Sequence, residues 1–314
     1  MTLRFAALGD SLTEGIGDPV PGGWRGWAAL LAPALSEGPV DFHNLAASGT
    51  LAEDPTERQL PYAVAVRPHL AAVLGGGNDT LRTGFAVERT AERLDAVLRA
   101  LSGQGAVLLT ACLPDPGRLL GLPAPLAVPL ARRMRSVNTA VHTLTTRYRA
   151  VHLHLAELPW QDDRKLLGAD RLHPSALGHH LIARGFHARL AAAGHPVGPA
   201  PAAVPGTPPP GLAADLRWLA TQGTRWVAAR STDLLPGLLA LAATECRHRL
   251  RGTGHRLDAN AERATTEALA RLPVPLVPAP RPWDGSGRDQ PAPRGYWLGR
   301  SRNGPAAPGP NSTG

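Results

Sequence analysis

Cysteine is almost missing from this chain, with only Cys112 and Cys246 in 314 residues. They lie far apart in regions of different composition, so they read as free thiols and exclude a disulfide framework. Aromatic residues make up 4% of the sequence, and Lys165 is the sole lysine among 33 basic side chains. No apolar run approaches the ~20 residues a bilayer-spanning helix needs. A charged leader with an apolar core is absent as well, because strand-like sequence begins at about Leu3. That points to a cytoplasmic protein. Basic clusters interleaved with aromatics are also lacking, which argues against a specific nucleic-acid partner. No internal repeat is present, and nothing in the pattern sets the oligomeric state.

What is present suits a buried core, since 43% of the residues are hydrophobic. Short apolar runs at 3–8, 40–45, 69–74, 106–112 and 151–155 have the length of strands. Helical spacing falls near 24–36, 56–66, 87–102, 128–149 and 175–193, most clearly where Val87, Leu94, Val97, Leu98 and Leu101 form one stripe. Strict alternation of strand and helix predicts a parallel sheet of about five strands with helices on both faces. The fold class is α/β, three-layered α/β/α and flavodoxin-like.

The texture changes near Gly194. Residues 194–210 are rich in proline, alanine and glycine, and read as a stiff linker. Leucines and Trp226 between about 212 and 250 suggest two or three short helices broken at Pro236-Gly237. From Leu272 onward, proline, glycine and arginine dominate, as in a disordered tail. The expected division is therefore a domain at 1–196 and an extension at 197–314. Residues 1–200 carry 19 basic and 17 acidic side chains, and residues 201–314 carry 14 and 8. The extension thus holds most of the net charge of +8. Its reading is a solvated basic tail, with weak peripheral membrane contact through the leucine-rich part as the alternative.

Four segments carry chemistry. Gly9-Asp10-Ser11-Leu12 delivers a serine at the exit of the first strand, where α/β sheets place their ligand crevices. Ala47-Ser48-Gly49-Thr50 follows the second strand, and Gly49 can leave its backbone N–H exposed. Gly75-Gly76-Gly77-Asn78-Asp79 follows the third, and Asn78 offers an amide donor at the strand end. Asp170-Arg171-Leu172-His173 places a carboxylate three residues before an imidazole, a spacing that one turn folds into contact. Each also has a purely structural use: Asp10 as a helix cap, Asn78 in a left-handed turn, Asp170 and His173 in a loop before a helix.

In this order the four segments resemble the SGNH hydrolases, also called the GDSL esterase/lipase family, over roughly residues 3–193. The resemblance implies a catalytic serine at Ser11, a general base at His173 and an orienting carboxylate at Asp170. It also implies an oxyanion hole formed by the Ser11 and Gly49 backbone N–H groups and the Asn78 side-chain amide. No cofactor is implied, and the partner is a small ester or acylated substrate.

The chemistry is coherent with that set. A serine hydroxyl needs an adjacent base to take its proton during attack. Imidazole suits this because it gives and takes protons near neutral pH. The absence of a Gly-x-Ser-x-Gly elbow argues against an α/β-hydrolase. The leading expectation is a serine esterase or acylhydrolase working through an acyl-enzyme. O-deacetylation of a carbohydrate or natural product is the alternative on the same site, and a binding or scaffold protein acting through its tail is the alternative of another class. His152 and His154 alternate on one face of a strand, and with no cysteine or carboxylate cluster beside them in sequence a metal site is not expected. His179, His180 and His187 read as surface, and Trp24 and Trp27 as packing for the first helix.

Overall fold

A computed structural model describes residues 2–52, 54–160, 163–202, 235–274, 277–279 and 281. The strands of the main sheet are β1 (Leu3–Gly9), β4 (Val40–Asn44), β5 (Leu70–Leu74), β6 (Val107–Cys112) and β7 (Val151–His154). They pair in the order β4-β1-β5-β6-β7, and every pairing is parallel. Strands β2 (Pro19–Val20) and β3 (Gly23–Trp24) form a separate antiparallel pair. The expected five-strand sheet is observed, with boundaries displaced by a residue or so.

Central strands buried on both faces need apolar side chains at successive positions. β5 and β6 are accordingly buried along their whole length, whereas the edge strand β4 has no fully buried residue. The helices before residue 196 are α1 (Ser11–Glu14), α2 (Gly26–Leu31), α3 (Leu60–Val66), α4 (Val87–Gly103), α5 (Pro116–Leu119), α6 (Ala124–Tyr148) and α7 (Ala176–Ala192). α2 packs with α7, where the Trp27 and Phe186 rings lie 4.9 Å apart. α4 packs with α6, where the Tyr148 hydroxyl donates to the buried Asp95 carboxylate at 2.7 Å. These two pairs flank the sheet and complete the three layers.

This strand order reverses direction between β1 and β5, which is the switch point where open α/β sheets form a crevice at the carboxyl ends of their strands. Ser11 follows β1 and Asn78 follows β5. Topology alone therefore brings these two residues to the rim of one crevice.

Two sequence readings need correction here. His179 and His180 are buried rather than on the surface. His179 accepts the Trp27 N–H at Nδ1, and its Nε2 meets the Ile16 carbonyl at 2.9 Å, so it ties α2 and the loop after α1 to α7. The helical period of 175–193 does not distinguish an apolar face from one whose imidazoles are matched to backbone groups. Trp27 packs as expected, whereas Trp24 is exposed.

The extension also departs from its reading. Pro236-Gly237 does not break a helix but lies in the first turn of α8 (Leu235–Leu250), where proline is tolerated. A further helix, α9 (Gly254–Arg271), was not foreseen. Residues 203–234 and 282–314, with most of the expected linker and tail, lie outside the described residues. α8 packs on α6, and α9 packs on α4 and α6. Arg132 of α6 bonds both the buried Glu245 of α8, at 3.0 Å, and Asp258 of α9, at 2.8 Å. Leu272 joins the apolar core.

We propose that the boundary near residue 196 is still a functional one, because Ser11, Asn78, Asp170 and His173 all precede it. A 1–196 fragment would bare the α4–α6 face that α8 and α9 cover. It is expected to fold yet melt at a lower temperature than the full chain. In the full chain, Arg132→Met should destabilise by less than the about 3–5 kcal/mol of a fully unpaired buried charge, because Arg249 still lies 3.5 Å from Glu245. Circular dichroism melting of both proteins checks this, and a fragment with no cooperative transition would show that the halves form one folding unit.

Candidate active site

β1 ends in a turn that only glycine makes comfortably. Gly9 has φ +149°, and a Cβ there would lie 2.2 Å from the Leu74 carbonyl oxygen of the neighbouring strand. Its peptide groups are held from the side by Gln59, whose Oε1 accepts the Gly9 N–H at 2.8 Å and whose Nε2 donates to the Gly9 carbonyl at 2.9 Å. The buried Gln59 comes from a single π-helical turn, Pro55–Gln59, just before α3. The Thr50 hydroxyl donates to the same carbonyl at 3.0 Å. The next residue, Asp10, caps α1 by accepting the Leu12 N–H at 3.1 Å. Ser11 is then the first residue of that helix.

His173 reaches the serine from the other end of the chain. Its Nε2 lies 2.7 Å from Ser11 Oγ, and its Nδ1 lies 2.6 Å from Asp170 Oδ2. The other Asp170 oxygen accepts the backbone N–H groups of Leu172 and His173, each at 3.0 Å. Burial alone would raise the Asp170 carboxyl, but the imidazole contact and these two N–H groups hold it below the ordinary carboxylate value. With Asp170 ionised, Nδ1 carries the ring proton and Nε2 faces the serine as an acceptor. A short bridge between Leu167 and Pro174, with Gly168 N–H donating to the His173 carbonyl at 2.8 Å, fixes the loop. Gly17 lets the loop after α1 come against Pro174, since a Cβ there would meet the Pro174 oxygen at 2.0 Å.

A cleft of about 100 Å³ opens beside this chain of hydrogen bonds. Ser11, Asn78 and His173 line it on the polar side, and Leu81, Leu113, Met134, Leu155 and Trp160 line its apolar wall. The Asn78 amide donates to the Thr50 carbonyl at 3.0 Å, which fixes its side chain at the rim of the cleft. Gly49 has φ +78°, the backbone freedom expected of it, but it is not among the residues that line the cleft. The structure thus joins Ser11, His173 and Asp170 directly, puts Asn78 beside them, and leaves Gly49 on the neighbouring loop. Sequence reasoning missed Gln59, which no local pattern marks, and the cleft walls, which come from segments after β5, β6 and β7 and from α6.

The profile of the GDSL-like lipase/acylhydrolase family matches residues 7–181, and the chain belongs to that family, whose members hydrolyse esters. No curated protein matches the sequence. Among solved structures, a point mutant of an acetyl-xylooligosaccharide esterase from Geobacillus stearothermophilus is 18% identical, with a TM-score of 0.50. That match covers 60% of this chain and 94% of the esterase. A lipase/acylhydrolase from Enterococcus faecalis is also 18% identical, covering 64% of this chain and 100% of its own, with a TM-score of 0.49. The Geobacillus match supports the α/β/α fold.

One electrostatic consequence is measurable. Burial lifts the Asp10 carboxyl to about 6, opposed by its bond from the Leu12 N–H and by the nearby His173. A carboxyl that holds its proton more tightly when folded weakens the fold as pH rises from about 4 to about 6, and the full cost remains above that. Asp10→Asn keeps an oxygen for the cap and removes the charge. It is expected to raise the melting temperature near neutral pH, by at most about 3 kcal/mol in stability, and to match the wild type near pH ~4. An equal shift at both pH values would assign the effect to something other than ionisation.

Proposed function

We propose that the protein is a serine esterase or acylhydrolase that cleaves carboxylic esters through an acyl-enzyme on Ser11. The observation that carries this reading is the continuous contact from Ser11 Oγ through His173 to Asp170, at 2.7 and 2.6 Å. His173 Nε2 takes the serine proton as Oγ attacks the acyl carbon, and returns it to the departing alcohol. Asp170 keeps the ring in the required tautomer and stabilises the imidazolium while it exists. Water then attacks the acyl-enzyme by the same proton route, and the acid departs.

Charge on the carbonyl oxygen would be stabilised by the Ser11 and Gly49 backbone N–H groups and the Asn78 amide. The Asn78 amide has a second N–H beside the one bonded to the Thr50 carbonyl, and that second N–H would serve the oxyanion. The apolar wall of the cleft, with Leu81, Leu113, Met134, Leu155 and Trp160, supports an acyl group seated against it. O-deacetylation of a carbohydrate or natural product is the second reading. Both run through the same acyl-enzyme and differ in the alcohol that leaves.

Ser11→Ala should fold like the wild type and lose at least about 10³ in kcat on a short-chain aryl ester. Near-wild-type turnover by folded Ser11→Ala would overturn the proposal. Asn78→Ala should lower kcat by about 10²–10³ with little change in KM, as expected for a donor that acts on the transition state. A change confined to KM would make Asn78 a substrate-binding residue instead.

A further inference from the structure

The sheet register creates a second cluster of chemistry-bearing residues that the hydrolytic reading does not use. In the β6–β7 pairing, Thr110 stands opposite His152 and Cys112 opposite His154. α6 crosses the same edge and adds His142. Cys112, His142, His152 and His154 each bring one potential ligand atom into a group whose members lie within 4.8 Å of one another. The three imidazole rings converge, with centroids 4.9, 5.3 and 4.6 Å apart. The sequence reading set a metal aside because no cysteine stands beside His152 and His154 along the chain. The register brings Cys112 next to them, and a helix supplies a third imidazole.

The orientation of His152 is the second, independent observation. Its Nδ1 is engaged by the Thr110 and Thr145 hydroxyls at 2.9 and 3.2 Å. Its Nε2 is buried and has no hydrogen-bond partner among the described residues. A buried ring nitrogen left unsatisfied costs stability unless something binds it. An imidazole held at one nitrogen by oxygen and free at the other is the arrangement that metal-ligating histidines adopt. Burial and then the neighbouring His142 and His154 push His152 down to about 4, and burial lowers His142 as well. Burial raises the Cys112 thiol, but backbone N–H groups of Ala156 and Leu155 point at its sulfur and offset part of that cost. At the rim, Glu157 comes within 3.7 Å of His154 and adds negative charge, while Arg189 opposes it near His152.

We propose that Cys112, His142, His152 and His154 form a tetrahedral site for a divalent transition metal of the zinc class. One thiolate and three imidazoles are a zinc-type donor set, and four protein ligands make a closed, structural site rather than a catalytic one. Zinc bond lengths set tetrahedral ligand atoms about 3.3–3.6 Å apart, so modest side-chain rotations within the present cluster complete the geometry. Binding displaces the proton from Cys112 and fastens α6 to β6 and β7. Leu113 and Leu155, one residue beyond Cys112 and His154, line the cleft beside Ser11. The metal would therefore brace the wall that receives the acyl group.

The test is titration of the metal-free full chain, lacking any histidine tag, with Co²⁺ followed by absorption spectroscopy. One equivalent should produce tetrahedral d–d bands and a thiolate-to-cobalt charge-transfer band, and Zn²⁺ should displace both. Cys112→Ser should lose the charge-transfer band, and Cys246→Ser should keep it. His142 is exposed, so His142→Ala should fold normally and bind at least about 10-fold more weakly. Zn²⁺ should raise the melting temperature of the wild type and not that of His142→Ala. Absence of these bands, or bands that survive in both Cys112→Ser and His142→Ala, would overturn the site.

Discussion

The active cleft depends on how closely β1 can approach β5 at Gly9. A side chain there would overlap the Leu74 carbonyl, so the strand can turn out of the sheet at that level only as glycine. The turn exposes peptide groups in a buried place, and Gln59 satisfies both the N–H and the carbonyl of Gly9. Such groups left unpaired would each cost on the order of 1–3 kcal/mol. With them paired, α1 starts at a fixed point and Ser11 Oγ meets His173 Nε2 at 2.7 Å. The position of Ser11 is therefore set by a residue from the π-helical turn before α3 and by a glycine, neither of which touches its hydroxyl.

The second constraint comes from the far end of the domain. His173 sits on a loop held by the Leu167–Pro174 bridge, by the Gly168 N–H donating to the His173 carbonyl and by the Ser175 N–H donating to the Leu166 carbonyl. Gly17 and Gly178 allow that loop to lie against the loop after α1 and against α7, because a Cβ at either would strike a carbonyl oxygen. His179 fastens the same region to α2 through Trp27. The imidazole is thus located by packing on three sides before Asp170 orients its ring. A side chain fixed this way loses little entropy when it functions, which is the condition for a preorganised site.

Much of this was legible in the sequence because strands and helices leave periodic marks. The five strands and the helix over residues 87–103 follow directly from apolar runs and a 3.6-residue stripe. Ser11, Asp170 and His173 were legible because each lies in a short motif at an element boundary. Gln59 and His179 were not, since a polar residue in a helical period looks the same whether it faces solvent or a buried peptide. Cys112 and His142 were invisible as neighbours of His152 and His154, because strand register and helix docking are long-range facts. The packing of α8 and α9 on α6 rests on Arg132, Glu245 and Asp258, separated by more than a hundred residues from their partner. Compositional reading gave a short helical segment at about 212–250 and a basic tail, without the docking of α8 and α9 on the sheet domain.

The account centres on one activated hydroxyl among the many serines of the chain. Treatment of the native protein with a fluorophosphonate, followed by intact mass measurement and peptide mapping, tests it most directly. Phosphonylation needs a serine whose proton is drawn off by a neighbouring base. The account predicts a single adduct, located on Ser11 and abolished when the protein is unfolded before treatment. An adduct on another residue, or no adduct on the folded protein, would contradict it.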